Sequence, residues 1–410
     1  MTLPQIDWKK AGLILGFVLA VILIGWIIYY FFFRPFIAPP AVTPPPTVTP
    51  TLPPVSLGVP PTVVTPPAVT PGAPVSPETT ISPTASATGL TATTAIISIP
   101  AEATTLASNG RDLLYYDRSA GKFYRLDSTG KTTSLTDKFF YNVAKVTWSP
   151  DTVKSIIEYQ DGSKIYYNFD TKEQAAIPNQ WKDFSFDPNS NKVAFKEMNY
   201  DSSNRWVSTA NADGTGLQAV EHLGTKDADV LISWSPSNQT VALYRESTSA
   251  NEAEVYFIGL HGENFKSLRV NGRDLRAIWS PSGQRLLYSV YGFDSGYVPS
   301  LWSAKALGDS IGTDRTIFGL ATWADKCAFA DDITAYCAVP KTIDSGAGYF
   351  PSLTSDTPDL IYKLNTETGE KTKIAEPLGG NSISKIMVTS DQKSLYFTDK
   401  NTNQVYKLDL

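Results

Sequence analysis

The apolar positions of this chain fall into two unlike patterns. Ala11–Phe33 is one unbroken apolar run without a charged residue. From about residue 94 onward, apolar residues instead come in short runs rich in Val, Ile, Tyr and Phe. Turns built from Gly, Asn, Asp, Ser and Pro separate these runs. Such composition and punctuation predict strands joined by hairpins. The first pattern predicts a helix, the second an all-β region.

The β region is periodic. Trp148-Ser149-Pro150-Asp151 leads to Ile156–Tyr159, Trp234-Ser235-Pro236-Ser237 leads to Val241–Tyr244, and Trp279-Ser280-Pro281-Ser282 leads to Leu286–Tyr288. Phe186-Asp187-Pro188-Asn189 before Val193–Phe195 fits the same frame. Three weaker copies begin at Leu106, Phe329 and Val388 and lead to Leu113–Tyr115, Ala335–Cys337 and Leu395–Phe397. A strand-rich unit recurring roughly every 40–60 residues predicts a radial β-repeat. Each unit carries four strand signals. The W-S-P element ends the first and a tight turn leads to the second. A third follows, as at Lys122–Leu126, Lys164–Phe169, Val255–Ile258 or Leu360–Leu364. Polar turns such as Asp127–Gly130, Asn211–Gly216 and Asn365–Gly369 then lead to the fourth.

Four antiparallel strands per unit predict a seven-bladed β-propeller over residues 94–410, with six or eight blades as the alternatives. The last repeat shows only three strands, near Ile386, at Leu395–Phe397 and at Val405–Leu408. Ala95–Ile99 precedes the first repeat and has no partner there. It is expected to supply the missing strand of blade seven, tying the ends of the ring together.

The W-S-P-[DS]-[GN] element followed by [IVL]-[AL]-[FY] resembles the WD-type repeat of TolB-like propellers. The turn Asn211–Leu217 resembles a third-to-fourth-strand turn of the same proteins. The resemblance spans roughly residues 100–410 and implies the fold far more than a function. TolB has a small α/β domain before its propeller, where this chain has the apolar run and a Pro-rich segment. Propellers of the prolyl-oligopeptidase kind accompany a hydrolase domain, which is not found here.

The apolar run would extend about 35 Å as a helix, enough to cross a bilayer. A cleaved signal peptide is the alternative, although the run is longer than a usual signal core. Lys9 and Lys10 precede the run and Arg34 follows it. That bias places residues 1–10 in the cytoplasm and the remainder outside. Trp26, Tyr29 and Tyr30 lie toward the exit side, where amphipathic rings favour the membrane interface. Residues 34–93 are mostly Pro, Thr, Val, Ala and Ser, with Glu78 the only acidic residue. Such a segment cannot offset the entropy of ordering and favours polyproline II. It would reach about 150 Å or more when extended. It reads as a disordered linker, either a plain tether or an O-glycosylated stalk.

The chain carries a net charge of −5 and no basic run, so nothing predicts nucleic-acid binding. Its two histidines, His222 and His261, fall in different repeats. No nucleophile elbow, P-loop, dinucleotide fingerprint or zinc motif occurs. No catalytic residue, metal site or cofactor is expected. The only cysteines, Cys327 and Cys337, lie in one repeat and would face each other across a hairpin. A structural disulfide suits an outward-facing domain, and two buried thiols are the alternative. The anchor tryptophans read as packing groups between blades.

Connections between second and third strands lengthen in later blades, at Glu246–Glu252, Tyr291–Ser300 and Lys341–Asp359. The last two carry Tyr291, Phe293, Tyr297, Tyr349 and Phe350. Long aromatic loops on a rigid scaffold are binding elements, although they could equally serve to cover the channel. The expected protein is therefore a single-pass, membrane-anchored, non-enzymatic binding module of a bacterial-type envelope, facing a protein or glycan partner. The alternatives are a carbohydrate-active or other enzyme with its site at the channel mouth, and a structural surface-display protein.

Overall fold

The computed structural model describes residues 90–410, together with Leu19 and Val21–Trp26. The chain divides into two units, Met1–Pro77 and Glu78–Leu410. In the first unit the described residues are helical. The expected membrane span 11–33 lies largely outside the described residues, as do Tyr29, Tyr30 and nearly all of the linker. Among the described residues, no helix is long and apolar enough to cross a membrane.

The second unit is a seven-bladed β-propeller of four-stranded antiparallel sheets. Blades one to six occupy residues 101–134, 143–177, 181–222, 230–270, 273–317 and 327–375. Blade seven combines Ile383–Val388, Ser394–Asp399 and Val405–Asp409 with Thr94–Ile97. Thr94 and Ala95 pair with Lys407 and Tyr406. The expected closing strand is thus the outermost strand of the last blade.

The repeated motif has a hydrogen-bond explanation. In five of the seven copies the second residue is buried and its side chain bonds the residue five positions on. Lys154 N donates to Ser149 Oγ at 3.0 Å, Thr240 N to Ser235 Oγ at 3.0 Å, and Arg285 N to Ser280 Oγ at 3.1 Å. Asp187 and Thr389 take the same place, accepting from Lys192 N at 2.7 Å and Ser394 N at 3.1 Å. A short side chain with an acceptor oxygen is what the turn needs, so Ser, Thr and Asp interchange. In the two least regular copies this position is Ala107 or Ala330. There Asn109 Oδ1 accepts from Asp112 N, and Asp331 Oδ1 from Thr334 N. In six of the seven copies the fifth position takes positive φ, at 66° in Gly110 and 75° in Gly283. Even Thr152, Ser190, Asn238 and Gln392 adopt it.

The anchor tryptophans bridge blades. Trp148 Nε1 donates to Ala103 O of blade one at 2.8 Å, and Trp279 Nε1 to Ser233 Oγ of blade four at 2.8 Å. Blade four departs from expectation. Its first strand, Val230–Ile232, stops two residues before Trp234. Trp234 N is instead committed to Ser185 Oγ of blade three, and its indole to Asn238.

The interior comprises seven apolar clusters, each straddling one blade interface. Leu243, Val255 and Phe257 of blade four meet Leu286 and Tyr288 of blade five. The cluster between blades seven and one joins Met387, Tyr396 and Val405 to Leu113 and Tyr115, with Ile97 of the closing strand among them. Because Ile97 is buried, Ile97→Ala is expected to cost about 2–5 kcal/mol, read as a lowered urea midpoint for the full chain. Ser280→Ala strands a buried amide and is expected to cost about 1–3 kcal/mol by the same measurement.

Candidate functional site

First strands of successive blades adjoin, so they ring the axis of the propeller. The start of a first strand, the end of a second and the start of a third lie at one end of each sheet. The mouth of the ring and the long second-to-third-strand loops therefore share one face.

On that face the loops of blades five and six are joined. Gly346 N and Ser345 Oγ donate to Gly296 O at 3.2 and 2.7 Å, and Gly348 N donates to Tyr297 O at 2.8 Å. A Cβ at Gly348 would lie 2.3 Å from the Tyr291 ring, so only glycine allows this approach. The expected aromatic residues all meet here. Tyr349 lies 4.8 Å from Tyr291 and 5.1 Å from Tyr297 between ring centres. Phe293 contacts Tyr297, and Phe350 contacts Tyr349. Tyr291 is buried beneath the others, which raises its phenol pKa by desolvation, with Asp274 adding to the effect. Phe293 and Phe350 are 66% and 65% exposed.

The blade-six loop is also held from behind. Lys341 pairs with Glu376, Lys341 N donates to Pro358 O, and Lys400 Nζ donates to Ser355 Oγ at 2.9 Å. Cys327 and Cys337 sit directly opposite in the first two strands of blade six and are disulfide-bonded.

Charge pairs near the mouth were not visible in the sequence pattern. Arg118–Glu102 (2.7 Å), Lys145–Glu158 (3.8 Å), Lys196–Asp183 (2.8 Å) and Arg245–Asp229 serve blades one to four. Arg276 bonds Asp274 of its own blade and Asp325 at blade six, at 3.2 and 3.0 Å. Lys326 Nζ bonds both oxygens of Asp359 at 2.7 and 2.8 Å, and the pair is buried. Burial pushes the lysine pKa down and the aspartate pKa up, each opposed by its partner. In blade seven Lys385 Nζ donates to Thr104 O at 2.6 Å. Its side chain reaches solvent but is crowded by protein, and desolvation lowers its pKa. The charges are thus largely engaged with one another.

His222 and His261 do not form a site together. His222 Nε2 lies 3.1 Å from Ser203 O and packs against Trp206, while exposed His261 sits in a blade-four turn where its backbone N–H bonds Glu263. His222 also lines a cleft of about 370 Å³ between blades three and four, with Tyr244, Tyr256 and Phe265. Among the described residues, no group of three or more His, Cys, Asp or Glu is placed to hold a metal.

The architecture defines the class as a seven-bladed β-propeller with an aromatic loop face. No protein-family model matches the chain, and no curated protein sequence does either. Solved propellers do. An oligogalacturonate lyase in complex with manganese aligns at 13% identity, covering 78% of this chain and 93% of its own, with a TM-score of 0.48. The Vibrio parahaemolyticus oligogalacturonate lyase aligns at 11% identity over 79% and 94%, with a TM-score of 0.49. A streptogramin B lyase aligns at 11% identity over 78% and 96%, also at 0.49. At such identities and scores the likeness concerns the propeller form and transfers no activity.

Lys326→Met would leave Asp359 charged and buried without its partner. It is expected to cost about 3–5 kcal/mol, with Lys326→Met/Asp359→Leu recovering most of the loss. Chemical denaturation of the two variants checks this.

Proposed function

We propose that this protein is a membrane-anchored, TolB-like propeller that acts as a non-enzymatic protein-binding module outside the cytoplasm. The observation that carries this reading is the aromatic cluster of exposed Phe293, Tyr349 and Phe350 around half-buried Tyr297, on two loops that are bonded to each other and to the propeller. Exposed aromatic side chains on a preorganised surface lose little entropy when covered and are frequent binding hot spots. The apolar run Ala11–Phe33 and the bias of Lys9 and Lys10 over Arg34 support the anchor and its orientation. The Pro/Thr-rich residues 34–93 support a tether. The W-S-P repeats support the TolB-like assignment. The paired state of the mouth's charges favours binding over acid–base catalysis, which needs groups free to exchange protons with a substrate.

Crosslinking capture from intact cells tests the reading with the full chain, its Phe293→Ala/Phe350→Ala variant and a Tyr200→Ala control on the blade-three loop. Each lost hot-spot aromatic should cost about 2 kcal/mol or more of binding. The double variant is therefore expected to lose a partner that both the wild type and the control retain. Equal capture by all three would reject the aromatic face. Turnover of a substrate, abolished by neutralising mouth carboxylates, would favour an enzyme instead.

A further inference from the structure

Each fourth strand covers the outer edge of a third strand, and in blades one, two, three and six a tight turn links the two. Asp127 N donates to Lys131 O at 3.0 Å, Asn168 N to Glu173 O at 2.9 Å, Asn211 N to Thr215 O at 2.8 Å and Asn365 N to Glu370 O at 2.9 Å. Blade four has no such turn. Residues 259–267 join its third strand, Ala253–Ile258, to its fourth, Leu268–Val270. Among the described residues, no main-chain group of 259–266 bonds another main-chain group. The fourth strand therefore starts late. It pairs with Ala253, Glu254 and Val255 and leaves Tyr256, Phe257 and Ile258 without an outer neighbour.

The hydrogen-bond phase of blade four decides what is left open. Ser233 N donates to Val241 O at 3.1 Å. Bonded positions in an antiparallel ladder recur every second residue, so Leu243, opposite Leu231, directs its main chain at the first strand. Phe257 lies opposite Leu243 on the other side and turns its N–H and C=O outward. Val255 has the same phase and meets Leu268. Phe257 has no counterpart. Its ring is committed to the cluster between blades four and five, and the residue is only 4% exposed. What it presents to the cleft of about 370 Å³ between blades three and four is thus its main chain. A shielded N–H and C=O without partners are costly, and a strand edge in that state is a template for another strand.

We infer that this cleft takes a short free peptide in extended form, which pairs with Phe257 and supplies the stretch of outer strand that blade four lacks. Main-chain pairing gives such a complex its affinity, and pockets for alternate side chains give it selectivity. At about 3.3 Å per residue, some three residues cover the open stretch. Val220 and Leu223 of blade three and Ile258 of blade four share one apolar cluster on the cleft wall. The rim is negative, with Glu221, Glu246 and Glu263 set against the one ammonium of Lys226. Glu246 and Glu263 take hydrogen bonds from the Tyr244 hydroxyl and His261 N rather than from a cation. The fitting peptide is therefore apolar with a positive end, and a free amino terminus supplies that charge. The cleft has the size of a small-ligand site, which suits a free peptide rather than a folded partner.

The test is hydrogen exchange of the full chain in detergent, read by mass spectrometry on the fragment that carries residues 257–260. The probes are Val-Leu-Val-NH₂ with a free amino terminus, the same peptide methylated on its two peptide nitrogens, and its acetyl-capped form. The free peptide is expected to slow exchange of this fragment saturably, by about tenfold or more, and to leave blade-one fragments unchanged. The methylated peptide should give no protection, because it cannot donate to Phe257 O. Capping should weaken binding about threefold, the effect of losing an exposed charge pair. No protection at millimolar peptide, or equal protection by the methylated probe, would overturn strand pairing. Val220→Arg fills the cleft from its half-buried wall and should abolish protection; protection that survives it would overturn the cleft as the site. In intact cells, a photoreactive residue in place of Tyr256 should gain adducts of peptide mass. A protein-sized adduct there would overturn the free peptide.

Discussion

A four-stranded blade has two faces, and neither can be buried by the blade alone. In this protein each face is buried against the next blade, so the seven apolar clusters lie between blades rather than within them. An open ring would leave two such faces exposed. The pairing of Thr94–Ile97 with Val405–Asp409 prevents this, because it builds the last blade from both ends of the propeller's sequence. Ile97 then completes the cluster between blades seven and one. The remaining architecture depends on this closure.

Closure also explains why the loop face can be rigid. Strand ends fixed by seven interfaces hold the loops of blades five and six at one separation, where Gly348 can meet Tyr291 and backbone bonds can join the loops. The same face gathers the starts of the first strands, so charges carried there converge on the axis. Convergence would be repulsive without pairing, and most of these charges have found an opposite partner in their own blade or the next.

Much of the fold was legible because one hydrogen bond recurs. The turn after each first strand needs an acceptor at its second residue, and Ser149, Ser235, Ser280, Asp187 and Thr389 display that need openly. Where the acceptor moved, to Asn109 and Asp331, the motif faded although the turn remained. The long aromatic loops were legible from length and composition, and the structure brings all five of their named rings together. The blade-three loop at Met198–Arg205, which carries the exposed Tyr200, was overlooked because its polar residues resemble an ordinary turn. The mouth's ion pairs were hidden for a different reason. Lys326 and Asp359 are far apart in sequence although both belong to blade six, and Arg276 and Asp325 meet only when blades five and six adjoin.

Site-specific photocrosslinking in intact cells tests the binding account most directly. A photoreactive side chain would replace Phe293 or Phe350 on the loop face, or Tyr256 on the cleft between blades three and four. The account predicts a discrete crosslinked protein from positions 293 and 350 and none from 256. A crosslink from 256 alone, or none from any of the three, would contradict it.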